Sequence, residues 1–141
     1  MGALLGAARP LIGLDTNVLV RYLVEDDRAQ TDRAQRLLAA AKAAGEFLYL
    51  SIPVLCETVW VLSAVYGKGK NEILDTLATL LSTDVFEVET ADAVRKAIEQ
   101  ARGSRGDFAD HLIGELNLAR GCRHTVTFDR SLKGWPAFSQ L

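Results

Sequence analysis

Five acidic side chains stand where chemistry could use them: Asp15, Glu57, Asp107, Asp110 and Asp129. Asp15 closes the apolar run Leu11-Ile12-Gly13-Leu14, and Asp129 closes Thr125-Val126-Thr127-Phe128. Both runs read as short β-strands. A carboxylate at the carboxyl end of a parallel strand sits where open α/β sheets hold their ligands. Glu57 is the single charged residue between Phe47 and Gly67, inside an apolar helical stretch. A carboxylate buried there is costly unless something pairs with it, and no basic residue lies nearby in sequence, so a metal ion or a distant arginine is expected to do so. Asp107 and Asp110 stand three apart and so share a face at the start of a predicted helix.

Each acid also has a structural reading. Asp15 can cap the following helix, Asp107 can answer the helix dipole, and Asp129 can open a turn. Those readings compete well singly and weaken jointly, because clustered carboxylates repel unless a cation neutralises them. An oxygen-rich, histidine-free set suits Mg²⁺ or Mn²⁺. Hydrolysis of a phosphodiester by metal-activated water is the chemistry such a pocket best supports. His111 and His124 lack zinc-like partners and read as structural or surface residues. The chain has no GxxxxGK[ST] loop, no GxSxG elbow and no cysteine nucleophile context. Cys56 and Cys122 read as buried thiols of a reducing compartment rather than a disulfide.

The elements that must position these acids follow from periodicity and punctuation. After the first strand, apolar spacing predicts a helix over Thr16 to Leu23, then a polar break and a second helix from Ala29 to Ala44, stopped by Gly45. Phe47 to Leu50 is a strand. Ser51 as cap and Pro53 in the first turn start a helix running to about Tyr66. Asn71 caps the next helix, Val85 to Val88 is a strand, and Thr90 caps a helix burying Val94, Ala97, Ile98 and Ala101. A helix from Asp107 to Arg120 turns Phe108, Leu112, Leu116 and Ala119 inward and stops at Gly121. The strand ending at Asp129 and an irregular tail follow. This order predicts an α/β fold, a parallel sheet with helices on both faces. Residues 1–10 read as a loose leader and 11–141 as one domain. The net charge of −2 argues against coating nucleic acid by bulk positive charge. No apolar run reaches membrane-spanning length.

Leu14-Asp15-Thr16-Asn17-Val18-Leu19-Val20-Arg21-Tyr22-Leu23, Cys56-Glu57, Asp107-Phe108-Ala109-Asp110-His111-Leu112-Ile113 and Thr127-Phe128-Asp129 together resemble the acidic signature of PIN-domain nucleases. The resemblance is closest to VapC-like toxins of prokaryotic toxin–antitoxin pairs and covers Leu11 to the C-terminus. It implies a three-layer sandwich with a central parallel sheet of four to five strands. It implies a cytoplasmic, metal-dependent endoribonuclease with Asp15, Glu57, Asp110 and Asp129 as catalytic acids holding one or two Mg²⁺ or Mn²⁺ ions. Asp107 matches a further acid of this subgroup, as ligand or supporting group. A homodimer, and a heterotetramer or larger assembly with a small cognate antitoxin, are implied too. Asn17 and Thr127 would orient water or ligand. Arg21, Arg105, Arg130 and Lys133, the basic residues nearest the expected pocket, are candidates for RNA phosphate contacts, each weighed against a role as solvated surface charge. His111 with Gly114-Glu115 departs from the small-residue run usual after the aspartate matching Asp110, which bears on helix packing or RNA access.

Two rival readings remain at this point. A phosphotransfer domain of receiver type is also a small parallel α/β fold, but its acceptor aspartate should end a mid-chain strand, and neither candidate strand ends on one. A catalytically silent PIN-like interaction module has no need to keep every acid.

Overall fold

A computed structural model describes residues 10–141, so the leader expected over residues 1–10 lies outside the described residues apart from Pro10. Among the described residues the chain is α/β with five strands, and every strand pairing there is parallel. Strands β1 (Leu11–Gly13), β2 (Phe47–Leu50) and β3 (Phe86–Val88) form one sheet in that order. Strands β4 (Thr125–Thr127) and β5 (Phe138–Gln140) form a second. The helices among the described residues are α1 (Thr16–Val24), α2 (Arg28–Ala44), α3 (Ile52–Ala64), α4 (Lys70–Leu81), α5 (Ala91–Arg102) and α6 (Phe108–Arg120). Contacts divide the described residues into two compact units, one holding 10–69 plus Leu80–Glu89, the other Lys70–Thr79 plus Thr90–Leu141.

In the first unit, β2 is central, with Ile12 registered on Leu48 and Leu48 on Phe86. Leu48 and Leu50 are fully buried, each side chain contributing about 1.5–3 kcal/mol relative to exposure. Leu19, Leu55 and Leu62 of the crossover helices are buried as well, and Tyr22 meets Phe86 edge-on at 5.8 Å. Gly45 stops α2 as expected: its φ of 71° is left-handed, and its amide reaches the Ala41 and Lys42 carbonyls. Ser51 occupies the cap position of α3 but makes no side-chain capping bond. Glu89 supplies it instead, accepting from the Ile52 amide at 2.8 Å.

Helix α3 corrects one expectation. Its buried stripe is Leu55, Thr58 and Leu62, while Trp60 and Val65 stay 64% and 62% exposed and Glu57 is exposed as well. Apolar residues all round the helix do not mean burial all round. The desolvation argument for a partner at Glu57 therefore fails.

In the second unit, α5 and α6 pack closely, burying Val94, Ala97, Ile98 and Ala101 against Phe108 and Leu112. Helix α4 starts one residue before the expected Asn71 cap, at Lys70, whose ammonium donates to the Ser104 and Gly106 carbonyls at 2.6 and 2.9 Å. Thr90 sits at the cap position of α5 with φ 45° and no side-chain capping bond. The inward face of α6 is rotated from the expected one. Ala119 is exposed and Leu116 half-buried, whereas His111, Gly114 and Glu115 are buried.

Packing explains that rotation. Gly114 has no side chain, so the Phe138 ring can lie against the helix; a β-carbon there would stand 2.8 Å from two ring atoms. His111 Nδ1 pairs with Gln100 Oε1 at 3.1 Å, and Gln100 Nε2 donates to Glu115 at 3.0 Å. The imidazole also meets Trp135 and Phe138 edge-on, at 4.8 and 6.2 Å. Gln100 thus partners both polar residues on this face, His111 through Nδ1 alone. The tail expected to be irregular contains β5, which pairs with β4 through Thr125 opposite Phe138. Three residues carry too little pattern to announce a strand, and the Phe138 contact with α6 holds it in register.

Candidate active site

Asp15 lies two residues past β1, at the N-terminal cap of α1, where its Oδ1 accepts from the Val18 amide at 3.0 Å. The capping reading of this residue is therefore correct, and it leaves the second oxygen without a hydrogen bond among the described residues. Thr16, the next residue, is buried and donates its hydroxyl to Glu57 Oε1. That bond ties the Glu57 carboxylate of α3 to the residue next to Asp15 in the chain. Asp15, Asn17 and Arg21 line an open cavity of about 380 Å³ between α1 and α2.

Arg21 is half-buried. Its Nη1 donates to Asp26, and to the Tyr66 hydroxyl at 3.2 Å, while that hydroxyl donates to the other Asp26 oxygen at 2.7 Å. The Tyr66 bond, with Arg21 beside it, holds Asp26 below the ordinary carboxylate range.

In the second unit, Asp107 caps α6, and Asp110 Oδ2 accepts from the Asp107 amide at 3.1 Å, the returning half of a capping box. Asp110 is half-buried, with its other oxygen unbonded. Asp129 follows β4 by two residues and opens a short 3-10 turn, Arg130–Leu132. Its Oδ1 accepts from the Ser131 amide at 2.9 Å and hydroxyl at 2.7 Å, and its own amide donates to Thr127 Oγ1 at 2.9 Å. The Ser131 hydroxyl and then its amide push the Asp129 carboxyl below its ordinary range, with a smaller contribution from the charge of Arg105. Arg105, Arg130 and Lys133 are all exposed. His111 is fully buried, and burial lowers its pKa against the opposing pull of Asp110, while Lys70 lowers it further. Its Nε2 has no hydrogen-bond partner among the described residues.

The expected acids thus share a design. Asp15, Asp110 and Asp129 each commit one carboxylate oxygen to a nearby backbone amide and leave the other without a hydrogen bond among the described residues. Among the described residues, no three histidine, cysteine, aspartate and glutamate side chains are grouped so as to hold a metal ion. The donor set itself is all oxygen, the chemistry of a hard divalent cation. No mid-chain strand ends on an aspartate to accept a phosphoryl group: Ser51 follows β2 and Glu89 follows β3. Sequence reasoning passed over Thr16, whose place beside Asp15 was a usable signal. It also passed over Lys70, for which nothing in the local pattern pointed to the loop it holds.

The model of the PIN domain family matches residues 12–135. A VapC ribonuclease of Aquifex aeolicus (strain VF5) is 28% identical over 121 residues, covering 85% of this chain and 88% of that protein.

Proposed function

Since the chain belongs to the PIN-domain family, we propose that it is a metal-dependent endoribonuclease and the toxin of a toxin–antitoxin pair. The observation that carries the reading is the Thr16–Glu57 bond, which ties an acid of α3 to the residue next to Asp15 in the chain. Carboxylates gathered near one another would repel unless a cation lay between them. Similarity to a ribonuclease supports the choice of RNA.

Asp15, Glu57, Asp110 and Asp129 are the proposed metal-holding acids, with Asp107 in support. Their oxygen-only chemistry fits Mg²⁺ or Mn²⁺. When bound, such an ion polarises water and offsets negative charge on the phosphodiester. The chain's own residues do the rest. The amides of Val18, Asp107 and Ser131 fix the carboxylates that they bond, and the Thr16 hydroxyl orients Glu57. Thr127 holds the Asp129 backbone, and Asn17 lines the cavity next to Asp15. Arg105, Arg130 and Lys133 are proposed phosphate contacts, and Arg21 is a further one through its Nη2, which carries no hydrogen bond.

A small antitoxin, a homodimer that assembles into a heterotetramer or larger complex with it, and a cytoplasmic site of action complete the proposal. Among the described residues no helix is long and apolar enough to cross a membrane. The purified protein should cleave single-stranded RNA with Mg²⁺ or Mn²⁺ and stop in EDTA. Undiminished cleavage in excess chelator would reject the metal-dependent mechanism.

A further inference from the structure

The cavity between α1 and α2 carries chemistry beyond its acid. Gln30, Arg33, Ala34 and Leu37 line it from α2, spaced i, i+3, i+4 and i+7, so that they form one continuous helical stripe. Val18 and Arg21 line it from α1. The lining thus combines an apolar surface, Val18, Ala34 and Leu37, with guanidinium groups from both helices and the amides of Asn17 and Gln30. Arg33 is exposed and makes no hydrogen bond or ion pair among the described residues. Arg21 is held in place by Asp26 and Tyr66 with Nη2 unbonded. A volume of about 380 Å³ lies at the small end of the roughly 300–1,000 Å³ of ligand pockets.

We propose that this cavity is a nucleotide subsite, taking one unpaired nucleotide of the RNA next to the phosphodiester that is cut. The inference rests on the endoribonuclease reading and adds where the strand is gripped. An unstacked base needs an apolar or planar surface for its face and donors or acceptors for its edge. Val18, Ala34 and Leu37 offer the first, and Gln30 and Asn17 the second. The phosphate needs a cation, which the exposed Arg33 and the braced Arg21 supply. Because Asp15 belongs to the same lining, a nucleotide seated here has its phosphodiester within reach of a proposed metal-holding acid. A protein helix would ask instead for a longer apolar groove with anchors over two turns.

The test uses Arg33→Ala, with Arg33→Gln as a second variant; Arg33 is solvent-exposed and in no ion pair, so neither threatens the fold. Nucleoside 5′-monophosphates and inorganic phosphate are titrated in EDTA and followed through the backbone amide resonances. At least one nucleotide should shift Val18, Gln30 and Arg33 saturably and more tightly than phosphate does. Both variants should weaken it about five- to tenfold, the effect of one charge-assisted contact. With metal, the same variants should raise KM for a single-stranded oligonucleotide by a similar factor and leave kcat nearly unchanged.

Equal binding of phosphate alone would reduce the cavity to an anion site and overturn the proposal, as would unchanged KM. Unchanged RNA kinetics with weakened binding of a protein inhibitor would assign the cavity to protein docking instead. Nucleotide binding at these residues in a wild-type protein that cleaves no RNA would support the pocket and refute the nuclease reading, so the two failures are separable.

Discussion

Replacing Gly114 by alanine sets two opposed effects against each other in α6. A glycine in a helix interior is less favourable than alanine by about 1 kcal/mol, so on propensity alone the change should stabilise. The added methyl, however, would lie 2.8 Å from two atoms of the Phe138 ring and 3.2 Å from the Ala137 methyl. The ring is edge-on to the buried His111, and the backbone of Phe138 belongs to β5, so it cannot swing away freely. Overpacking of this kind costs roughly 1–3 kcal/mol. The net expectation is destabilisation by about 1 kcal/mol, a fall of about 3–4 °C in Tm for a domain of this size. Urea denaturation of wild type, Gly114→Ala, Phe138→Ala and the double variant isolates the contact. In the Phe138→Ala background the steric term vanishes, and Gly114→Ala should become stabilising by up to about 1 kcal/mol. A stabilising Gly114→Ala in the wild-type background would refute the reasoning, and so would an equal loss in both backgrounds.

Glu57→Gln and Asp110→Asn should each abolish RNA cleavage while shifting stability by no more than about 0.5 kcal/mol, as expected of residues outside the core; a large loss of stability with cleavage retained would remove them from the site. Asp26 is held below its ordinary value of 3.8 by Tyr66 and Arg21, so its contribution is present above that value and fades as pH falls through the depressed one. Wild type should therefore lose stability more steeply than Asp26→Asn in acid, below that ordinary value, and parallel acid limbs in urea melts would contradict this. The exposed Trp60 and Val65 on α3 are expected to be covered in a homodimer; light scattering returning the monomer mass at micromolar concentration would count against it.

Much of the site was legible because its acids sit at punctuation points. Asp15 and Asp129 follow β-prone runs, and Asp107 and Asp110 open a strongly periodic helix. What escaped was tertiary. Periodicity shows that α3 is apolar all round but not which side meets the core, and so Glu57 was expected to be buried when it is exposed. The inward turn of His111 and Glu115 depends on Gln100, eleven and fifteen residues away, and on a ring at position 138. Strand β5 is defined by its partner rather than its own sequence. The α2 stripe through Arg33 was plain in its spacing, yet a charged helix face reads as solvated until a second helix is seen to close a cavity over it.

The two tryptophans fall one in each unit, which gives the molecule a pair of optical reporters in distinct surroundings. Trp60 is 64% exposed on α3, so its indole is open to aqueous quenchers in a monomer and reports on the interface in the expected homodimer. Trp135 is partly shielded and lies 4.8 Å from the buried His111 ring, so its emission follows the packing of α6 and the C-terminal strand. With Trp60 changed to phenylalanine, fluorescence follows the second unit alone; with Trp135 changed, it follows the α3 surface. Coincident or separate unfolding curves from the two then distinguish one cooperative domain from two.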